Sequence, residues 1–326
     1  MPSTVMRLNW VVLVLAAILA LPAAFGAEEK EAVKHRFLMY DESRGLLHYV
    51  DQRDSAKDWK LELPHSIRDF QLIGNHRLMI AQGFGYSVYD LETRKSVEDV
   101  RVPDLGDGTS ARRRADGATV IGANYKGGVQ VVELDKENKV ARRMTFPEVK
   151  TLRMIRLASD GDVLLAEQKG LTEVAFDAQA PGGGKIVRSL PLPRGANAFM
   201  ALKRDDGSIL LSGGYAHAVF EFGPDGKLRK EFEVKDAPKG VDFHFFAGTQ
   251  VLKNGNVVAC NWTGHDAKDS AKGWQLVEFV PDGTVVWHWH DAERAGTAIN
   301  VTILDDLDEN TFLDDASGTL KAGQAK

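Results

Sequence analysis

The chain has 326 residues, with 41 basic and 46 acidic side chains, nine histidines and a single cysteine. A net charge of −5 lacks the dense basic footprint that phosphate neutralisation requires, so nucleic acid is excluded as an expected partner. One cysteine cannot close an intramolecular disulfide, and stability must come from a core that a chain of this length is ample to bury.

Residues 1–26 read as an export signal: Arg7 near the start, an apolar run from Trp10 to Leu21, then the small pair Ala24 and Gly26 before a cleavable bond. Cleavage is expected after Gly26, which places the mature chain, with a charge of −6, in the periplasm or outside the cell. The apolar run is about 12 residues long, short of the roughly 20 that span a bilayer, so no transmembrane span is expected in the mature chain. No cysteine follows the run, and a lipid anchor is not expected there.

Three short strands come next, Arg36 to Tyr40, Leu46 to Val50 and Trp59 to Leu63, followed by a repeat. A turn pair, an aliphatic run and one small residue recur at Asn75 to Ala81, Asp116 to Gly122, Asp160 to Ala166, Asp206 to Ser212 and Asn254 to Cys260, at intervals of 41, 44, 46 and 48 residues. The turn pairs supply tight hairpins, and the runs after them form strands buried on both faces. About ten residues on, each repeat carries a second strand: Tyr89-Asp90-Leu91, Val132-Glu133-Leu134, Val174-Ala175-Phe176, Phe220-Glu221-Phe222 and Val277-Glu278-Phe279. Period-2 alternation sets the acid on one face and the apolar pair on the other. Self-similarity at this spacing means stacked four-stranded units, none of which can bury both faces alone.

Five units account for about residues 66–291. The three N-terminal strands and one from Ile299 to Leu304 make a sixth, whose pairing removes two exposed sheet edges. The reading is therefore all-β: a six-bladed β-propeller over 34–305, with the ring closed by one C-terminal and three N-terminal strands and with seven blades as the rival count. Residues 306–326, acidic and then small and polar, are expected as a tail along the rim or frayed.

In such a ring the outer-to-inner connections and middle-strand loops meet at one mouth of the central channel, and the Asp-Gly turns lie on the other face. Ligand sites favour that mouth because several blades can aim side chains at one point. The expected ligand-binding residues there are His244, Trp262, His265 and Asp266 from blade five, with Asn124, Tyr125, Gln168 and Tyr215 from other blades. His244, His265 and Asp266 have the chemistry of an acid/base centre, with Trp262 as an apolar wall. Arg112, Arg156, Gln71 and Gln250 hold one position relative to their turns and should form a polar layer in the channel, where two arginines favour an anion. Trp287-His288-Trp289-His290 sets its indoles on one strand face and its imidazoles on the other, and no third ligand makes it a metal site. Asp306, Asp308 and Asn310 open like a calcium loop but lack its glycine and closing glutamate. Cys260 falls in the column of small core residues. No metal and no cofactor is expected, and no catalytic residue is assigned.

The run Leu252-Lys253-Asn254-Gly255-Asn256-Val257-Val258, followed by Leu276 to Trp287 with Pro281-Asp282-Gly283, resembles blades of the six-bladed propeller superfamily, in its NHL-type, quinoprotein-like and arylsulfotransferase-like members. The resemblance implies the fold more than an activity. It departs from each enzyme type: the full quinone-docking signature is missing, His244 and His265 belong to one blade, and no acidic and amide set for a lactonase-type calcium site can be assembled. The first functional expectation is an exported propeller that binds a small molecule, glycan or protein at the mouth. The second is a transferase or hydrolase of the arylsulfotransferase-like or lactonase-like kind using His244 or His265, and the third is an interaction scaffold in the cell envelope.

Overall fold

The computed structural model describes residues 32–64, 67–235 and 237–323. The expected export signal therefore lies outside the described residues. The repeat becomes structure at its turns. Gly117, Gly161, Gly207 and Gly255 take φ of 89°, 93°, 81° and 84°, a region open to glycine at no steric penalty, and each turn reverses the chain between the first and second strands of a blade.

Six four-stranded antiparallel sheets result, arranged as a six-bladed β-propeller. Blade one holds strands Phe70–Leu72, Arg77–Gln82, Gly85–Asp90 and Lys95–Arg101, and blade two Asp107–Arg113, Thr119–Tyr125, Gly128–Leu134 and Val140–Phe146. Blade three holds Met154–Leu157, Val163–Glu167, Gly170–Phe176 and Gly184–Pro191, and blade four Ala201–Lys203, Ile209–Ser212, Val219–Phe222 and Leu228–Phe232. Blade five runs Phe245–Val251, Val257–Trp262, Leu276–Phe279 and Val285–Trp289. In the sixth, Ala298–Ile303 pairs with Arg36–Asp41, with Tyr40 opposite Asn300, and Leu46–Asp51 and Trp59–Glu62 complete the sheet. No described helix is long and apolar enough to cross a membrane.

The aliphatic runs of the second strands are buried: Leu78 to Ile80, Val120 and Ile121, Val163 to Leu165, Ile209 to Leu211, and Val257 and Val258 are all at 0 or 1% exposure. The small-residue column marks where neighbouring blades meet. A Cβ on Gly122 would lie 2.4 Å from Ile155 Cγ2 and 2.7 Å from Leu152 Cδ2, both in blade three or the segment leading into it. Trp287 and Trp289 are buried against Phe37 of blade six, and His288 stacks outside on Trp274 at 3.9 Å.

The acid column differs from its expected register in blades one and three; in blade one the bulge follows Val88, which holds the equivalent position in place of Asp90. A β-bulge separates third and fourth strands just after Glu133, Glu173, Glu221 and Glu278, so Glu173, not the position of Ala175, is the equivalent residue. Each of these acids holds a cation: Glu133 holds Arg114 and Arg142, Glu173 holds Arg188 and Lys203, Glu221 holds Arg204, and Glu278 holds His35.

Among the described residues, the C-terminal segment 306–323 is ordered against the propeller and reaches the channel. It forms a small hairpin, Leu313–Asp314 with Lys321–Ala322, laid against the turn face. Asn75 N–H donates to Asn310 O, Gln71 Nε2 donates to Leu313 O at 2.9 Å, and Phe312 bridges to Ile73. At the root of this segment stands a latch that the sequence reading did not contain. The His35 ring is buried between Asp305 (Nδ1 to Oδ2, 2.6 Å) and Glu278 (Nε2 to Oε2, 2.8 Å) and meets the edge of Trp287. Burial opposes its charge, but the bonds to Asp305 and Glu278 prevail and raise its pKa to about 9.

Candidate functional site

The channel and its mouth are distinct places, and the expected residues divide between them. The four residues expected in the polar layer lie together, with Leu202 and Thr302 at the equivalent places of the other two blades. Gln71, Arg112, Arg156, Leu202, Gln250 and Thr302, one from the inner strand of each blade, line a common space of about 30 Å³, room for a water or two. Its anion is supplied by the chain itself. Arg112 reaches Asp315 Oδ1 and Arg156 reaches Asp315 Oδ2, both at 2.9 Å, and on the other side Arg156 lies 3.1 Å from Asp69 Oδ2. Burial would raise the Asp315 carboxyl, but Arg112 and Arg156 hold it below the usual carboxylate range. The two glutamines stitch blades: Gln71 exchanges hydrogen bonds with the Arg113 backbone, and Gln250 with that of Ile303. The arginine layer is thus filled with the protein's own charge, because the tail crosses beneath it.

At the opposite end, Trp262, 7% exposed, donates its Nε1–H to Glu42 Oε2 at 2.6 Å, which ties blade five to blade six. Its indole carries His244 on one contact, with ring centroids 5.9 Å apart, and His265 on another at 4.6 Å. His265 Nδ1 lies 3.5 Å from the same Glu42 oxygen while its side chain is 81% exposed. Tyr215, from blade four, packs edge-on against His244 at 5.5 Å and Phe245 at 4.7 Å and stays 42% exposed. Among the described residues no hydrogen bond or ring contact joins His244 to His265, and both lean on the indole instead.

Three expected residues have local roles. Asp266 is exposed and caps the short 3-10 helix Ala267–Lys272 through a reciprocal bond with Asp269. Gln168 is exposed, with its backbone bonded to Lys150 and Asn197, and Tyr125 lies under the ammonium of Lys126. Asn124 is more telling. Its side chain grips both polar groups of the Leu152 backbone, accepting from N–H at 2.8 Å and donating to C=O at 3.3 Å, and so fixes the segment just before Arg153.

Arg153 and Arg68 are the functional candidates that the sequence reading missed. Each stands just before an inner strand and thirteen residues before its blade's small residue, Ala166 or Ala81. That shared spacing was the available signal. Both guanidiniums are half-buried, and neither has a hydrogen-bond or ion-pair partner among the described residues. Burial, then the Arg68 charge beside it, holds the Arg153 pKa below the usual arginine range, with Tyr215 and Glu42 pulling the other way. The set formed by Glu42, Arg68, Arg153, Tyr215, His244 and Trp262 therefore draws on five blades.

Elsewhere, Asp160, Asp162 and Glu173 bring carboxylate oxygens within 4.8 Å of one another, but the Lys203 ammonium sits among them. Burial pushes the Cys260 thiol well above its usual range, which suits a core residue and not a nucleophile.

The fold and this arrangement define a six-bladed β-propeller with its channel filled from the turn face and a charged, aromatic mouth. No family model and no curated protein matches the sequence. In structure the chain is similar to a protein of unknown function from Bacteroides caccae, at 20% identity and a TM-score of 0.67, over 83% of this chain and 99% of that one. It is also similar to regucalcin, a calcium-binding protein from Agrobacterium tumefaciens, at 16% identity and a TM-score of 0.51, over 72% and 83% of the two chains. A streptogramin B lyase matches at 13% identity and a TM-score of 0.52, over 79% and 86%. At such identities the likeness establishes the fold alone.

Proposed function

We propose that this chain is an exported propeller that binds a small molecule, a glycan or a protein at the channel mouth, without covalent chemistry of its own. The observation that carries the reading is the packing of Glu42, Tyr215, His244 and Trp262, from three blades, at the end of the channel where Arg68 and Arg153 lead into their inner strands, while the other end is filled by Asp315. Side chains from several blades meeting at one point are what recognition needs, and the rings offer flat contact area that loses little conformational freedom on binding. Export rests on the sequence of residues 1–26.

The enzyme reading, with His244 or His265 as acid/base or nucleophile, has less support. General acid/base catalysis wants a nucleophile or second titratable group within hydrogen-bond reach of the imidazole, and the partner recorded for His265 is Glu42 at 3.5 Å, already engaged by Trp262. A thermal-shift ligand screen on the mature protein and its Trp262→Ala and His244→Ala variants, with and without divalent metal, tests the proposal. A ligand class that stabilises the wild type but not Trp262→Ala is the expected result. Equal stabilisation of all three proteins would overturn it, and turnover of a ligand that His244→Ala abolishes would move the assignment to the enzyme.

A further inference from the structure

We infer that the ligand of this mouth is an anion carried on a flat ring, with Arg68 and Arg153 taking the charge and the exposed face of Tyr215 beside His244 and Trp262 taking the ring. The inference rests on the mouth being the binding site and adds the chemical class of what binds. Elsewhere in the chain, half-buried arginines have partners: Arg77, Arg114, Arg188, Arg204 and Arg294 are matched with carboxylates, and Arg113 and Arg143 donate to neutral oxygens of Thr119, Tyr86, Gln130 and the backbone. Arg68 and Arg153 break that habit together, at equivalent positions of blades one and three. Arg153 Nε is cut off from water yet has no partner among the described residues. Two unmatched like charges at one mouth are unfavourable until an anion arrives, and a guanidinium's planar fork suits a carboxylate or phosphate oxygen pair.

The carboxylate that Arg153 senses, Glu42, is already held by Trp262 Nε1 and His265 and so is poorly placed to neutralise the pair. The backbone leading to Arg153 is also held in an unusual shape. Thr151 has φ of 56°, a left-handed conformation that a β-branched side chain disfavours, and the two Asn124 bonds to Leu152 hold the chain there. Strain kept in place by neighbouring bonds is a mark of a preorganised site, and here it sets the direction from which Arg153 enters the mouth. Asn124 is thus a positioning residue for Arg153.

Isothermal titration of the full mature chain with phenyl phosphate, inorganic phosphate and neutral phenyl glucoside tests this. Phenyl phosphate should bind more tightly than either of the others, and its affinity should fall as salt rises. Arg68→Gln and Arg153→Gln should each weaken it about tenfold to a hundredfold, the range for a lost charge-assisted hydrogen bond. Arg153→Lys, which keeps the charge and loses the fork, should fall between, and unchanged melting temperatures should show that the variants fold. Phenyl phosphate binding that ignores both glutamine substitutions overturns the inference. So does phenyl glucoside binding as tightly as phenyl phosphate, which would leave the mouth a binding site for neutral ligands and the broader reading intact. No binding of phenyl phosphate up to about 10 mM, a level that corresponds to less than 3 kcal/mol, also overturns it. The Trp262→Ala screen then decides separately whether the mouth binds anything.

Discussion

Each end of the central channel carries a pair of arginines from different blades, and the two pairs have opposite circumstances. At the turn face Arg112 and Arg156 are 4% exposed or nearly so and are clamped between Asp69 and Asp315, the latter delivered by the C-terminal segment. At the mouth Arg68 and Arg153 are half-buried and have no such partner among the described residues. The same chemistry is a structural clamp where the chain supplies the counter-charge and, on the proposed reading, a receptor where it does not. Charge alone cannot distinguish the two; the presence of a carboxylate from the same chain does.

The largest test of that difference removes the counter-charge. Asp315→Ala leaves two buried guanidiniums with only Asp69 to share, and urea unfolding should show a loss of about 3–5 kcal/mol, as expected when one partner of a buried ion pair is deleted. Arg153→Gln, by contrast, removes an unmatched charge and should change stability by no more than about 0.5 kcal/mol in the destabilising direction. Equal losses in the two variants would mean that the two ends do not differ.

A second test concerns the latch that anchors the tail. The folded-state pKa of His35, about 9, lies above the 6.5 of a free imidazole. The folded chain therefore keeps a proton that the unfolded chain releases, so this stabilisation is complete below about pH 6.5 and is lost as pH rises towards 9. The span corresponds to about 3 kcal/mol, and melting temperatures should fall across that window in the wild type. His35→Gln should flatten the fall. At the mouth no such dependence on His35 is expected, so ligand binding there should keep its own pH profile.

Two smaller effects sharpen the picture of the mouth. Gly122→Val would drive side-chain atoms into Ile155 and Leu152, which flank the Arg153 segment, and should cost about 1–3 kcal/mol as an overpacked contact while also weakening binding. Thr151→Gly should act in the opposite sense on stability. Relief of the left-handed strain offsets the greater freedom of glycine in the unfolded chain, for a net gain of at most about 1 kcal/mol, with weaker ligand binding as Arg153 loses its fixed approach. Chemical denaturation and titration of the same samples would show whether the two properties part.

The architecture was legible because its determinants are local and repeated. Asp116-Gly117, Asp160-Gly161, Asp206-Gly207 and Asn254-Gly255 impose their turns whatever surrounds them, and the aliphatic runs after them can only be buried strands. The equal placement of Gln71, Arg112, Arg156 and Gln250 was readable for the same reason. The site was less legible. Nothing near Asp315 in the sequence says that it reaches arginines more than 150 residues away, and an acidic stretch of low hydrophobicity resembles a loose end until those arginines are in place. His35 lay outside every repeat, and its two partners are 243 and 270 residues distant. In blade three the apolar triplet Val174-Ala175-Phe176 drew the reading two residues past Glu173, although the bulge follows Glu173 just as it follows Glu133, Glu221 and Glu278. Asp266 had the chemistry of a site residue but answers a nearer need, the unpaired N–H groups at the start of a short helix.

One feature of the ring bears on how the molecule comes into being. Tyr40 and Asn300 are partners although 260 positions separate them, so the sixth sheet stays unfinished until almost the whole polypeptide exists. Through most of synthesis, Arg36–Asp41 presents a naked strand edge that stays open until Ala298–Ile303 has been made. Such distant pairing slows folding far more than it lowers equilibrium stability, because lengthening a closed loop adds only about 0.6 kcal/mol per doubling. A nascent molecule must therefore carry a sticky flank for a long time, and protecting that flank is the demand this fold places on the machinery that makes it.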